Sequence, residues 1–257
     1  MSEATLTHRF EASFQDVPGF SDGVLLSEVD TGEGIPDFVF VRALGLERHQ
    51  LMHLLAELPA AAFLNGTGAV LAELQQRPHT LEYLAKRTGL SRAHADRSAR
   101  SLSKIGWVSR TTTGCYYLNG QPFPEIEITA FEFKLKDVRR AVQQATRYKH
   151  FAQRSLVVLP VDRETSGRAV AQLASQALLG IAIFDSVDCV VRYVVRPVKT
   201  PARSRHAYMH VLGRILQHME LGDRTSERRF PRQLAPREAV QQDPLIGLRD
   251  KASNREQ

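Results

Sequence analysis

The run that starts at Pro78 and reads HTLEYLAKRTGLSRAHADRSARSLSKIGWVSR to Arg110 restricts the fold more than any other stretch of the chain. Thr80 is placed to cap a helix whose Leu81, Leu84 and Ala85 face inward, and Gly89 supplies the left-handed residue of a tight turn. Ser91 caps a second helix running to Ile105. Its Ala95, Ala99 and Leu102 recur at helical spacing, which leaves Arg92, Arg97, Arg100 and Lys104 mostly on the other faces. Gly106 ends that helix. Trp107 to Arg110 and Cys115 to Leu118 then predict two short strands around Thr112, Thr113 and Gly114, with Trp107 in the core beneath them.

Charge is concentrated in the same place. The chain of 257 residues has a formal charge of +6. Between residues 65 and 119, eight Lys and Arg stand against Glu73, Glu82 and Asp96, a surplus of five. A basic surplus on a helix-turn-helix pattern points to a polyanionic partner. The segment resembles the winged-helix family of bacterial DNA-binding domains, with the Gly89-Leu90-Ser91 turn and the Leu102-x3-Gly106 exit intact. The resemblance implies DNA as partner and Arg92, Arg97, Arg100, Lys104 and Arg110 as the residues that touch it. A winged helix used for protein contacts is the plainer alternative.

Around this segment the periodicity is that of an α/β protein. A helix is expected at 8–15, a hairpin of strands 24–29 and 37–41, and helices at 47–58 and 68–76, the last after a loop at 65–67. Beyond the basic segment the pattern predicts strand 126–134, helix 138–152, strand 155–159, helix 165–179, strands 181–184 and 189–195, and helix 205–219. The tail from Gly222, rich in Arg, Gln and Pro, is expected to be mobile. No window is apolar for long enough to span a membrane, and the N-terminus has no secretion signal, so a cytoplasmic protein is expected. Cys115 and Cys189 make neither a disulfide framework nor a zinc pattern and are expected to be buried. The histidines show no ligand spacing.

Side chains two apart on a strand share a face, so Glu132 and Lys134 point one way while Phe131, Phe133 and Leu135 pack on the other. Asp37 lies in Gly34-Ile35-Pro36-Asp37 on the second strand of the hairpin. Two carboxylates brought together repel unless a hard cation separates them, and Mg²⁺ is the usual solution. On the following helix Gln144 and Tyr148 are spaced i, i+4, among Arg139, Arg140, Arg147 and Lys149, a face suited to a phosphate backbone. The bland reading makes these a solvated strand face and ordinary helix packing.

Taken together, Pro36-Asp37, Glu132-x-Lys134 and Gln144-x3-Tyr148 resemble the PD-(D/E)XK nuclease superfamily, in particular its RecB-like branch. That likeness implies a restriction-endonuclease-like αβββαβ core. It makes Asp37 and Glu132 ligands of Mg²⁺ or Mn²⁺, with help from the Phe133 carbonyl, and gives Lys134 a role beside the attacking water. Gln144 and Tyr148 complete the set, and Glu11 or Glu28 is a candidate further acid. The chain departs from the pattern in the long separation of Asp37 from Glu132, which an inserted domain would explain. The expected organisation is a first core part at 1–45, an inserted helical linker and winged helix-turn-helix at 46–120, a second core part at 121–221 and a tail at 222–257. The function expected is metal-dependent DNA hydrolysis. The alternative is a transcription regulator whose nuclease-like core no longer cuts, and a homodimer is open in either case.

Overall fold

The computed structural model describes residues 2–14, 17, 20–75, 77–120 and 125–229, the last eight of these as backbone only. The chain is a mixed α/β protein. Its first helix, α1 (Glu3–Ser13), starts where the Ser2 hydroxyl accepts the Thr5 amide at 3.1 Å. That start is five residues earlier than periodicity suggests, because the capping serine and Glu3 form the first turn. Strands β1 (Val24–Ser27) and β2 (Phe38–Ala43) follow as an antiparallel pair.

The chain then leaves the sheet for about eighty residues. It forms α2 (Arg48–Glu57), the short α3 (Ala60–Phe63), α4 (Asn65–Leu74), α5 (Leu81–Thr88), α6 (Arg92–Lys104) and the hairpin β3 (Val108–Arg110) and β4 (Tyr116–Leu118). It returns as β5 (Ile126–Phe133), directly beside β2 and antiparallel to it. After α7 (Val138–Tyr148), strand β6 (Arg154–Pro160) lies parallel to β5. A 3-10 turn, α8 (Glu164–Ala169) and α9 (Ala171–Gln176) lead to β7 (Gly180–Asp185), and β8 (Val190–Val195) closes the edge. The six-stranded sheet has the order β1-β2-β5-β6-β7-β8. The last described helix is α10 (Arg205–Arg229).

Strand alternation divides the core. Phe38, Phe40, Phe131 and Phe133 face α1, where Phe10 meets the Phe133 ring at 4.8 Å and the Phe184 ring at 5.3 Å. Val39, Val41, Ile128 and Ala130 face the other way and join Tyr148, Leu84, Ala99, Leu102, Met209 and Leu212 in one continuous core. The 44–125 segment is therefore not a freestanding module. Its α3 and α4 lie against α10, close enough that a Cβ on Gly213 would come within 2.8 Å of the Leu64 side chain.

Several expectations shift. The helix expected at 165–179 is broken, with Val170 out of helical geometry between α8 and α9 and Leu178 in the left-handed region. The Thr165-Ser166-Gly167 start holds helix poorly. Residues 65–67 are the first turn of α4 rather than a loop, and α10 runs through Gly222 to Arg229 instead of giving way to a loose tail. Cys115 is half-buried, and Cys189 is exposed in the turn before β8, so neither is a core residue. The expectations for Gln15, Gln76 and 230–257 fall outside the described residues. No helix among the described residues is long and apolar enough to cross a membrane.

Candidate active site and basic surface

Two strands set the site. The register ends at the pair Phe38 and Phe131, so Asp37 lies just before β2 rather than on it, while Glu132 is the next residue of β5. The backbone amide of Phe133 donates to Asp37 Oδ2 at 2.6 Å. It is thus the amide of Phe133 that reaches Asp37. Glu132 is 2% exposed and carries a donor on each oxygen, with Lys134 Nζ 3.1 Å from Oε1 and the Tyr148 hydroxyl donating to Oε2 at 2.7 Å. Tyr148 comes from the last turn of α7, and its hydroxyl also lies 3.5 Å from the Ile35 carbonyl. The close packing of Gly34 against the Tyr148 ring, with φ +137°, holds the 30–36 loop over that hydroxyl.

A residue that sequence reasoning passed over completes the cluster. Glu3, in the first turn of α1, accepts the Leu135 amide at 3.2 Å and places its other oxygen 3.6 Å from Lys134 Nζ. Glu11 and Glu28, the acids considered from sequence, are both exposed, and it is Glu3 that reaches the lysine. The signal available was the Ser2-Glu3 pair, a helix cap followed by an acid, which a helix start at His8 hides.

The electrostatics are unbalanced. Burial, only partly opposed by the Phe133 amide and reinforced by the charge of Glu132, pushes the Asp37 carboxyl up to about 6. Burial works against the Lys134 ammonium, but the hydrogen bond and field of Glu132 outweigh it and hold the lysine above its ordinary range. Burial and the neighbouring Glu132 also raise the Tyr148 hydroxyl, so it stays a donor. Glu127, at the opposite end of β5, offers a contrast. Arg42, Arg154 and Lys199 all pair with it and, against its burial, hold its carboxyl below the usual range. Asp37, Glu132 and Glu3 share one lysine.

That surplus of negative charge is what a divalent cation neutralises, so Asp37 and Glu132 fit Mg²⁺ or Mn²⁺. Among the described residues no three His, Cys, Asp or Glu side chains are grouped as a metal cage. A two-carboxylate Mg²⁺ site, completed by waters and phosphate oxygens, does not need one. Gln144 is half-buried, and its Oε1 is buried with no hydrogen-bond partner, an acceptor left over on the same face of α7 as Tyr148. The α7 face does not present all the basic groups expected of it. Arg139, Arg140 and Arg147 are exposed, but Lys149 is 1% exposed, with Nζ donating to the Gln153 carbonyl at 2.8 Å.

The basic segment has the local geometry that its caps dictate. The Thr80 hydroxyl accepts the Tyr83 amide at 3.3 Å, Gly89 has φ 69°, and the Ser91 hydroxyl accepts the His94 amide at 3.2 Å. Ala95, Ala99 and Leu102 are buried, and Arg92, Arg97, Arg100 and Lys104 are exposed. They are not equivalent. Arg92 is paired with Glu82 at 2.9 Å and Arg100 with Asp96 at 2.7 Å, whereas Arg97 and Lys104 have no ion pair among the described residues. Arg110 sits over the Tyr116 ring at 5.6 Å in the β3–β4 hairpin. Trp107 is half-buried against Phe63, with ring centroids 5.5 Å apart.

No protein-family model matches the chain, and no curated protein is significantly similar to it.

Proposed function

We propose that the chain is a metal-dependent DNA nuclease, with a PD-(D/E)XK-like, restriction-endonuclease-like core into which a winged helix-turn-helix is inserted. One observation carries this reading. Asp37, just before β2, accepts the amide of Phe133, the residue next to Glu132 on the paired strand β5, with Lys134 Nζ 3.1 Å from the buried Glu132 carboxylate. A bland solvated strand face would not bury Glu132, and ordinary helix packing would not bring the Tyr148 hydroxyl to its second oxygen.

Asp37 and Glu132 would hold the ion, which supplies polarisation of a phosphoryl oxygen and a water of lowered pKa. The Phe133 amide fixes the rotamer of Asp37. Tyr148 fixes Glu132, leaving lone pairs on both oxygens, since an ionised carboxylate has about four acceptor sites. Lys134 keeps its proton between Glu132 and Glu3 and offsets negative charge that develops on a phosphate during phosphodiester hydrolysis. Arg97 and Lys104, without acidic partners among the described residues, are the side chains of α6 best suited to a duplex backbone, with Arg92, Arg100 and Arg110 beside them.

Incubation with supercoiled plasmid and short duplexes plus Mg²⁺ or Mn²⁺, alongside Asp37→Ala and Lys134→Ala, tests the assignment. Cleavage by the wild type alone is expected. No cleavage, or equal cleavage by all three proteins, overturns it. A second reading, a DNA-binding regulator that does not cut, is favoured by the engagement of both Glu132 oxygens within the protein. Tight duplex binding without cleavage in either metal would select it.

A further inference from the structure

A cleft of about 350 Å³ lies where the end of α5 meets the start of α10, and its polar groups are Glu73, Arg87, Arg203, Ser204, Arg205 and His206. We propose that this cleft is a phosphate site, separate from the carboxylate cluster, that holds a backbone phosphodiester of the bound nucleic acid. Its assignment to nucleic acid rather than to a free phosphate rests on the DNA-binding reading above.

Glu73 is the brace. It is largely buried on α4, with Oε2 3.4 Å from Arg87 Nε and Oε1 3.0 Å from His206 Nε2. Gripping Arg87 through Nε leaves the two terminal nitrogens of its guanidinium, the donors that form a bidentate pair with phosphate, uncommitted among the described residues. The backbone on the other wall is equally fixed. The Arg203 amide donates to the Lys149 carbonyl at 3.0 Å and the Ser204 amide to the His150 carbonyl at 2.9 Å, so both neighbouring arginines spring from a pinned segment.

The guanidiniums of Arg87 and Arg203 against the one carboxylate of Glu73 leave the cleft positive, before any contribution from Arg205 or His206. Lys149 lies buried behind the same segment. Burial first, and then the nearby Arg203 and Arg154, push its ammonium down to about 8. A tetrahedral anion with several unshared oxygens accepts from more than one guanidinium fork at once, and a carboxylate with two oxygens satisfies fewer. The α5 wall belongs to the helix-turn-helix segment, so a backbone held here is anchored close to the surface that α6 presents.

The test uses the full chain, Arg87→Gln, the double variant Arg203→Gln/Arg205→Gln, and an α6 control, Arg97→Gln/Lys104→Gln. Binding of a labelled 20-bp duplex is followed by anisotropy across a salt series, inorganic phosphate and pyrophosphate are titrated calorimetrically, and arginine modification by phenylglyoxal is mapped with and without duplex. The site predicts about a tenfold or greater loss of duplex affinity in the double variant and a salt slope lower by about two. It also predicts protection of Arg203 and Arg205 by duplex in the wild type and in the α6 control at saturation. Saturable binding of phosphate or pyrophosphate that the double variant loses, with duplex binding unchanged, keeps the phosphate site and overturns its nucleic-acid assignment. Unchanged binding of all probes together with unprotected arginines overturns the site. A wild type that binds no duplex at all sinks the DNA-binding reading, and the phosphate and pyrophosphate titrations then decide the cleft alone.

Discussion

The amide of Phe133 donates to the carboxylate of Asp37 across 96 positions of sequence. This bond adds a side-chain contact at the end of the β2–β5 ladder, which joins the strand before the long insertion to the strand after it. Burial, acting against that contact, makes Asp37 sensitive to pH. Its carboxyl rises from 3.8 to about 6 on folding. Between those values the native state binds a proton that the unfolded chain has lost. The stabilising contribution is therefore complete below about pH 3.8 and is lost as pH rises through 6. At about 1.4 kcal/mol per pKa unit, the ionised carboxylate costs on the order of 3 kcal/mol at most. Asp37→Asn, which still accepts from Phe133, is expected to raise Tm at pH 8 and to change it little at pH 4. Mg²⁺ is expected to stabilise the wild type at pH 8 and not this variant.

Tyr148→Phe removes one hydroxyl from a site otherwise unchanged. A hydrogen bond to a charged group contributes about 1.5–3 kcal/mol. Part of that loss is expected in stability. The diagnostic result is cleavage lowered by about tenfold or more in Mg²⁺, with duplex affinity unchanged by anisotropy.

On α6 the ion pairs divide the arginines. The double variant Arg97→Ala/Lys104→Ala is expected to flatten the dependence of log K on log salt by nearly two, because neither cation has an acidic partner among the described residues. Arg92→Ala/Arg100→Ala is expected to change it less, since Glu82 and Asp96 already hold those guanidiniums. Equal slopes in the two double variants would remove the distinction.

Gly68 is fixed by space rather than by dihedral angle. A Cβ there would stand 1.9 Å from the Phe63 carbonyl oxygen, a backbone atom that cannot swing aside. Gly68→Ala is expected to cost about 3 kcal/mol or more, read as a shift in the urea midpoint, by prising α4 from α3.

Gln153 is the polar counterpart. Its Oε1 accepts the buried Ile128 amide at 2.8 Å, and its backbone amide donates to the Ile128 carbonyl at 3.0 Å. Gln153→Leu leaves the Ile128 amide unsatisfied. The expected loss is about 2 kcal/mol in chemical denaturation, with fast hydrogen exchange at Ile128.

What could be read from sequence was governed by short-range chemistry. Thr80, Gly89 and Ser91 each act within four residues, and the α5–turn–α6 unit follows from them directly. The face shared by Glu132 and Lys134 is likewise a property of one strand. Their approach to Asp37 was accessible only through the order of elements, because a contact between Asp37 and Phe133, 96 positions apart, leaves no local mark. Glu3 was missed for the same reason, compounded by a helix that starts earlier than its apolar period. Lys149 was read as surface because lysine usually is. Its burial depends on carbonyls at Gln153 and Val198, which only the folded chain supplies. The association of the insertion with α10 was equally hidden, since it depends on small residues such as Gly213 letting two helices close up.

That association has a consequence for where a strand would be broken. Leu84, Ala99 and Leu102 beneath the basic surface share one core with Tyr148 and Leu212, so the described residues pack the basic surface and the carboxylate cluster onto the same body. The molecule behaves as a caliper with a set jaw. If the proposed nuclease activity holds, scission by such a body would fall at a constant number of nucleotides from the seated helix, and its products on a defined duplex would end in a narrow band instead of a ladder.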